Sequence, residues 1–463
     1  MSNNMTSQER QAVISLSSIM SLRMIGLFMV LPVFTLYAQQ LPGATPTLVG
    51  LALGIYGLFQ ALLQLPFGAL SDRIGRKPII LLGLILFALG SLTASFAHSI
   101  TMLIVGRALQ GAGAIGSTIL AMMADFTCET QRTKAMAIAG ITIGFSFSIA
   151  MLIGPLLTKW LPIHDLFLVA TLCSLIGSTI LYTTVPKAPP LSWHRDTQAE
   201  LQSIFSLLAN PILIRLNFSI FILHAIFTAS FIVIPISLYH FTALSANRQW
   251  LIYLPTLLAA FVISLICIGI AERKQQIKPY FLASILMLGT ATFLLWTYPN
   301  HLGFVVLSIT LFFSGFSVLE AFMPSLISRT APATRKGSAL GIYSCLQFFG
   351  IFVGGVLGGW LYGKFSFSGV YIFCIMLILF WLALMLQFAL PRYLVTQQWR
   401  ILPPHATQWD KIAEKLKLIP GIAEVTFIAE DSIAYLKMER ETTKHPDLLH
   451  LKEQLHSSHS NFF

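Results

Sequence analysis

An arginine-rich segment at residues 68–78 holds the side chains whose spacing most clearly suggests a chemical use. Arg76 and Lys77 precede a long apolar stretch, so they lie at the predicted start of a helix, where the helix dipole is already positive. These cations need nearby carboxylates, and Asp72 and Asp125 are available. The sequence therefore predicts an ion-pair network around this loop; the alternative is a solvated basic loop that only orients the chain in a membrane.

Other ionisable side chains lie deep inside long apolar stretches. An arginine there costs at least about 2.5–3.5 kcal/mol, so Arg107 must face a polar cavity, pair with a partner, or tie its helix to its neighbours as a hydrogen-bond hub. Arg23 needs an acid or an anion in the cavity. An unpaired Glu320 would be a candidate proton carrier, and the alternative is a permanent ion pair with a base such as Arg215. His224 either exchanges a proton or is a hydrogen-bonded packing residue.

The composition excludes a soluble protein. Of the 463 residues, 56% are hydrophobic and only 10% are charged, with a mean hydropathy of +0.77, whereas globular chains carry about 25% charge. Since a helix needs about 20 apolar residues to cross a bilayer, we expect about twelve spans. We place them at 14–38, 47–70, 78–97, 100–123, 134–157, 163–185, 211–239, 249–271, 279–297, 302–327, 334–362 and 366–390. We expect the first of these to be a retained helix, not a signal peptide.

The basic residues lie on alternate connections between these spans. One set comprises Arg73, Arg76 and Lys77, Arg132 and Lys134, Lys187 and Arg195, Arg273, Lys274 and Lys278, and Arg329, Arg335 and Lys336. The other connections hold only Lys159, Arg248 and Lys364. The positive-inside rule therefore places both termini in the cytoplasm. The formal charge of +11 follows topology, so it does not indicate nucleic-acid binding.

The chain divides into a six-helix half at 1–185, a linker at 186–210, a second half at 211–396 and a cytoplasmic domain at 397–463. The halves repeat each other weakly, as parallel duplications do in transporters with a central substrate site. In the linker, 196–208 predicts a helix on the membrane surface. In the tail, helices are predicted at 409–418 and 446–456, with strands at 425–428 and 433–438. The five cysteines show no metal-ligand spacing and are expected to be packing residues.

Three motifs carry a resemblance to a known family. They are Gly68-Ala-Leu-Ser-Asp72-Arg73-Ile-Gly75-Arg76-Lys77, Arg107-Ala-Leu-Gln110-Gly111-Ala-Gly113, and Gly154-Pro155. The chain resembles the drug:proton antiporter branch of the major facilitator superfamily, although Thr158-Lys159 stands where that branch expects two glycines. The tail resembles a small ferredoxin-like domain called YAM. The resemblance implies an all-α polytopic protein with the twelve-helix major facilitator fold, followed by an α+β ferredoxin-like domain.

The resemblance also implies roles for particular residues. Asp72 would face the start of span eleven, Asp125 would pair with Arg76, and these contacts would hold the halves together at the cytoplasmic side until the transporter switches. The gating set is Gly68, Asp72, Arg73, Gly75, Arg76, Lys77 and Asp125, and Gly154 and Pro155 form the antiport signature. Arg107 would take part in proton coupling, for which Arg23, His224 and Glu320 are the further candidates.

The cavity between the halves is expected to be apolar and aromatic, which suits amphipathic substrates. Candidate lining residues are Phe28, Tyr37, Gln110, Phe145, Phe227, Phe231, Tyr343, Gln347 and Phe348. In span eleven, glycines at every fourth position predict surfaces on which another helix backbone packs closely. We expect the glycines at 140 and 144 of span five to serve the same purpose.

These features predict a secondary transporter of the inner membrane that exports small amphipathic or drug-like compounds in exchange for protons. The alternatives are a proton-coupled importer of a metabolite, and a membrane sensor that acts through its C-terminal domain. The chain has no nucleotide-binding G-x-x-x-x-G-K-[ST] motif and no hydrolytic triad, so we expect neither an enzyme nor a cofactor. The expected partners are a small-molecule substrate, protons and the lipid bilayer.

Overall fold

The structure is a computed structural model that describes residues 5–186, 207, 209–242, 244–332, 335–387, 394–400, 409–428, 433–439 and 441–456. Eleven helices in these ranges are long and apolar enough to cross a membrane. The last of them, Lys336–Leu386, contains a non-helical residue, Ser366 (φ 56°, ψ −152°), which separates two spans. The predicted twelve spans are therefore confirmed. The helix predicted at 196–208 lies almost wholly outside the described residues.

The spans follow the predicted order, with several ends one or two turns away from their expected positions. Spans one to six are Ser7–Ala38, Pro46–Ile74, Arg76–Ser95, Ile100–Phe126, Glu129–Leu157 and Asp165–Thr183. Spans seven to ten are Pro211–Thr242, Trp250–Lys274, Ile277–Thr297 and Leu302–Thr330. Spans eleven and twelve are 336–365 and 367–386. We call the end of the bundle that holds the 68–78 loop the basic end, and the opposite end the far end.

Spans one and four are each built from two helices. Span one is interrupted after Phe28 and resumes at Leu31, with Pro32 in the first turn of its second helix. Span four ends its first helix at Ala112 and begins its second at Gly116. Such breaks leave backbone carbonyls without helical partners, and in a membrane those groups must be satisfied by other side chains. The break in span four thus creates a polar position near the middle of the membrane.

The glycine rows of span eleven pack closely against other helix backbones, as the sequence predicted, and the structure shows that these contacts join the two halves. A Cβ atom on Gly355 would lie 2.8 Å from the Cα of Gly54 in span two. On another face of the same helix, a Cβ on Gly354 would lie 2.7 Å from the Cα of Ala225 in span seven. Backbones this close leave no room for side chains, so span eleven is held between span two of one half and span seven of the other.

Contacts between the halves also close the far end. The ammonium group of Lys159, just after span five, lies 4.1 Å from the ring centroid of Trp250, at the start of span eight. Halfway along the spans, the rings of Phe147 in the N-terminal half and Phe316 in the C-terminal half stack with their centroids 6.0 Å apart. The far ends of spans five and eight are therefore joined in this conformation.

The C-terminal domain contains a three-stranded antiparallel sheet in the order β1-β3-β2. The strands are β1 (Leu394–Arg400), β2 (Ile422–Ile428) and β3 (Ile433–Glu439), with helices at Trp409–Lys417 and Pro446–His456. The element sequence βαββα fits the expected ferredoxin-like domain. Strand β1 was not predicted, because Thr396, Gln397 and Gln398 interrupt its apolar pattern.

This domain contacts the membrane bundle through Lys437 of β3. Its buried ammonium group donates a hydrogen bond to the carbonyl of Ala331 at the end of span ten and lies 3.1 Å from Glu424 Oε2. A cation at a helix C-terminus interacts favourably with the helix dipole. The lysine thus attaches the soluble domain to the connection between spans ten and eleven.

Candidate transport site

At the basic end, Arg76 lies between two carboxylates. Its side chain, 13% exposed, forms ion pairs with Asp72 at the end of span two and with Asp125 at the end of span four, the latter at 3.0 Å. Arg76 Nη1 also donates to Ser71 Oγ at 2.7 Å. The predicted network around the loop is therefore present. Every partner belongs to the N-terminal half, and no ion pair recorded for the described part of the chain links Asp72 to span eleven.

The other loop residues have distinct local roles. Gly75 separates spans two and three with φ +108°, a conformation that residues with a Cβ rarely adopt. Lys77 donates to the carbonyl of Val185 at 2.7 Å, just beyond span six. Arg73 is exposed, and Gly68 faces Ser117 of span four at an ordinary packing distance. The loop therefore fixes the basic ends of spans two, three, four and six relative to one another.

Arg23 occupies the interior of the N-terminal half without an acidic partner. Its Nη2 atom donates to Gln60 Oε1 at 2.7 Å, to the carbonyl of Gly113 at 2.9 Å and to Tyr56 Oη at 3.2 Å. The Gly113 carbonyl lies at the break in span four, where it also accepts from the backbone N–H of Ile115 at 3.0 Å. Of the two alternatives left open by the sequence, an acid is excluded among the described residues, since every acceptor around Arg23 is neutral.

Arg107 is also buried without an acidic partner. Its Nη1 donates to Gln110 Oε1 at 2.7 Å, and its Nε donates to the carbonyl of Ala52 at 3.4 Å. Its guanidinium carbon lies 5.5 Å from the ring centroid of Phe34 and 5.1 Å from that of Tyr56. These contacts fit the hydrogen-bond hub that was the alternative role for this arginine. They do not account for its whole donor set.

The C-terminal half contributes a polar cluster made of Glu320, Gln347 and His224. The amide nitrogen of Gln347 lies 3.0 Å from Glu320 Oε1 and 3.0 Å from His224 Nε2. His224 Nδ1 lies 3.3 Å from the carbonyl of Ile220. A neutral imidazole satisfies all of these contacts, because Nδ1–H donates to the carbonyl while Nε2 accepts from Gln347.

Glu320 is only partly enclosed by this cluster. Its carboxylate is 3.8 Å from His224 Nε2, the side chain is 35% exposed, and Oε2 has no hydrogen-bond partner among the described residues. The structure places His224 and Gln347 beside Glu320, so the ion pair with Arg215 considered in the sequence analysis is not formed. Tyr343, which was predicted to line the cavity, is buried, and its hydroxyl has no partner in the part of the chain that the structure describes. The cluster therefore contains an unpaired carboxylate oxygen and a neutral base.

A pocket lies between the two halves at the level of Arg107. In this conformation it has room for roughly one or two water molecules, with a cavity volume of about 30 Å³, and about 430 Å³ of space when the part open to solvent is counted. Its walls are almost entirely apolar: Leu27, Phe28, Val30, Leu31, Phe34, Leu53, Tyr56 and Arg107 from the N-terminal half, and Phe227, Thr228 and Ile351 from the C-terminal half. His224 lies one helical turn from Phe227, so the polar cluster adjoins this pocket on the side of the basic end.

Several predicted lining residues lie outside the pocket. Tyr37 packs against Phe167 of span six, and Phe231 is fully buried against Phe227. Gln110 accepts a hydrogen bond from Arg107 and donates one to Ser91. The ring of Phe348 packs edge-on against Tyr56, with 6.1 Å between the ring centroids. Phe145 is 59% exposed on the outer surface of span five, so its prediction was wrong. Aromatic side chains that face lipid and those that face a cavity look alike in sequence.

The glycines of span five serve different purposes from those expected. Gly140 and Gly144 have nothing within 4 Å of an added Cβ, so the prediction of close packing there was wrong. Gly154, in contrast, lies against the backbone of Met29, at the break in span one. The Gly154-Pro155 pair therefore marks where span five crosses the interrupted helix. Of the cysteines, Cys173 and Cys374 are buried as expected for packing residues, whereas Cys128 is exposed.

Sequence reasoning missed the acceptors that hold the two buried arginines. Tyr56, Gln60 and Gln64 lie at every fourth position of span two and form one hydrogen-bonded row. Their spacing on one helix face was visible in the sequence, as polar side chains in a span normally face the protein interior. The carbonyls of Gly113 and Ala52 carry no such signal, because the break and approach of helices that present them are tertiary features.

Comparisons with known proteins agree with this architecture. The family model described as Major Facilitator Superfamily matches residues 16–343 and 249–420. The inner membrane transport protein YajR of Escherichia coli K12 is 40% identical over 95% of this chain and 96% of its own. The multidrug resistance protein MdtH of Aeromonas hydrophila is 25% identical over 72% and 82%. Among solved structures, a bacterial homolog of the human lysosomal transporter Spinster, in an inward-facing and occupied conformation, has a TM-score of 0.65 at 14% identity, covering 82% of this chain and 96% of its own.

Proposed function

Since the chain belongs to the major facilitator superfamily and is therefore a multi-pass membrane transporter, we propose that it exports small amphipathic compounds in exchange for protons. The protein would lie in the inner membrane with both termini in the cytoplasm, as the distribution of Lys and Arg over the connections suggests. The basic end would then be the cytoplasmic end, and the C-terminal domain would lie beneath it.

The observation that carries this proposal is the position of Glu320. It belongs to the polar cluster one helical turn from the pocket wall, its side chain is 35% exposed, and its buried Oε2 atom has no hydrogen-bond partner among the described residues. Ionisable residues inside a span that face a cavity are typical of proton relays in transporters. His224 is a neutral base 3.8 Å from the same carboxylate, so a proton has two adjacent sites.

The ion pairs of Arg76 suggest how the proposed cycle is gated. In this conformation the far end is closed, and Asp72 bonds only within the N-terminal half. In the opposite conformation, Asp72 would turn to the start of span eleven and hold the basic ends of the two halves together. Alternating access would thus exchange one closed end for the other.

Proton flux in proteoliposomes tests the proposal. The purified protein is reconstituted with a trapped pH-sensitive dye, and three compounds are added in turn: naphthalene-1-acetate, naphthalene-1-acetamide and 1-naphthylmethylammonium. We expect at least one of them to elicit proton movement opposite to its own. Glu320→Gln should abolish that movement, because the amide cannot take up the proton.

Asp165→Asn is the matched control. It removes a carboxylate at the far end of span six, beside His164 and away from the pocket, so proton flux should persist. Full proton coupling in Glu320→Gln would reject this carboxylate as the proton carrier. Movement of compound and protons in the same direction would identify an importer.

A further inference from the structure

Arg107 is the charged group in the wall of the pocket between the halves. The side chain is 5% exposed, and its guanidinium lies between the rings of Phe34 and Tyr56. Both of these residues and Arg107 belong to the pocket wall. A ligand that enters between the two halves therefore meets one positive charge held in fixed orientation by aromatic side chains.

The donors of this arginine are only partly used. A guanidinium has five N–H groups, and the structure records bonds from Nε to Ala52 and from Nη1 to Gln110. The Nη2 atom has no hydrogen-bond partner among the described residues. Both recorded acceptors are neutral, so they satisfy hydrogen atoms without compensating charge. A buried guanidinium with free donors is incomplete without an acceptor, and an anionic acceptor completes it best.

The charges around the pocket are also unbalanced. Among the described residues in the middle of the spans, Arg23 and Arg107 carry positive charge, and Glu320 is the one carboxylate. Glu320 is occupied with Gln347 and His224 in the other half, and neither arginine forms an ion pair with it. The N-terminal wall therefore presents uncompensated positive charge in a low-dielectric setting, where electrostatic interactions are strong.

From this arrangement we infer that the pocket binds amphipathic organic anions, with the anionic group on Arg107 and the apolar body against Phe28, Phe34 and Phe227. A carboxylate suits the planar guanidinium because it can accept two parallel N–H bonds. A cationic compound of the same shape would place like charges together in an apolar pocket. That such anions are the transported compounds rests on the proposed function. That the pocket binds them can be tested without any transport.

A binding measurement without any ion gradient tests the anion site separately from the proposed transport function. The full-length protein in detergent is titrated with naphthalene-1-acetate, naphthalene-1-acetamide and 1-naphthylmethylammonium, and binding is followed by calorimetry. These probes share one ring system and differ in charge. We expect the acetate to bind about tenfold more tightly than the amide, a difference of about 1.4 kcal/mol, and the ammonium compound to bind most weakly.

Two substitutions assign the preference to this arginine. Arg107→Gln should remove the preference for the acetate over the amide. Arg107→Lys should retain part of this preference, because the charge is kept while the two parallel N–H bonds are lost. Each variant is first checked for a monodisperse elution profile. If Arg107→Gln does not fold, the wild-type ranking of the three probes still tests the inference. A tighter ammonium compound, or an anion preference that survives Arg107→Gln, overturns it.

The outcomes also distinguish this inference from the proposed function. Selective binding of the acetate without proton flux would keep the anion site and reject proton-coupled export. Proton-coupled export of the ammonium compound alone would keep the proposed function and reject the anion site.

Discussion

Arg76 donates its Nε–H to Asp125 Oδ2 at 3.0 Å, so the first residue of span three is tied to the last turn of its antiparallel neighbour, span four. The carboxylate offsets both the guanidinium charge and the positive end of the helix dipole. Both residues belong to the N-terminal half, so their ion pair fixes the shape of one half and does not itself close the basic end. The surface that Asp72 presents beside them is available for a contact with the other half.

Removing the guanidinium should separate this local role from a general need for positive charge. Arg76→Ala leaves Asp72 and Asp125 facing each other without a cation, and we expect transport to fall at least about tenfold, a loss of about 1.4 kcal/mol. Arg273→Ala is the control, since this exposed arginine lies in the last turn of span eight. The transport rate of each variant is measured as compound uptake into inverted vesicles. Full activity in Arg76→Ala would remove the gate from the mechanism.

A large side chain at Gly355 should keep the far end from closing. The Cβ of any substituent there would lie 2.8 Å from the Cα of Gly54, so Gly355→Leu must push spans two and eleven apart. Gly337→Leu, in the same span with nothing within 4 Å, is the control. The experiment uses a protein without its native cysteines and with one new cysteine, Thr228→Cys, in the pocket. The rate at which this cysteine is labelled measures how open the far end is.

An impermeant maleimide added at the far side should label this cysteine several-fold faster in the Gly355→Leu protein than in the parent protein. The Gly337→Leu protein should label at the parental rate. Equal labelling of all three would show that the glycine contact does not control access to the pocket.

Glu320 and Gln347 should act as one unit. Gln347→Leu removes the donor that lies 3.0 Å from Glu320 Oε1, and we expect proton flux to fall because the carboxylate loses its fixed orientation. Since Glu320→Gln should abolish proton flux, the double-mutant cycle is measured on the rate of downhill compound transport: the double variant should be no slower than Glu320→Gln alone, whereas independent sites would add. Additive losses would mean that Gln347 serves another function.

The C-terminal domain should protect the end of span ten through Lys437. In Lys437→Met the buried Ala331 carbonyl loses its donor, which costs about 1–3 kcal/mol for a buried group, and Glu424 keeps its hydrogen bond from Thr426. Hydrogen exchange of the peptide covering residues 322–332 should accelerate about fivefold or more. Lys411→Met, on an exposed position of the 409–417 helix, should leave it unchanged. Unchanged exchange in Lys437→Met would show that the lysine does not hold the domain to the bundle.

Much of the candidate site could be predicted from residue type and depth alone. Arg23, Arg107 and Glu320 stand out because an ionised side chain in a span is costly and must face polar surroundings. Their partners were harder to predict. Gln347 was expected in the cavity, yet its position between Glu320 and His224 depends on how spans seven, ten and eleven meet. Arg215 was an equally reasonable partner for Glu320 in sequence and was wrong in space.

Twelve spans, two weakly similar halves and a basic loop at 68–78 can be recognised in the sequence, because a bilayer demands long apolar helices and charges at their ends. Which charges meet depends on how those helices pack. The breaks in spans one and four expose carbonyls and leave no pattern in side-chain hydropathy. The glycine rows of span eleven predict close packing, but that Gly54 is the partner of Gly355 depends on how the two halves meet. Those contacts place Arg107 in the pocket wall without an acid, which local sequence around it does not reveal.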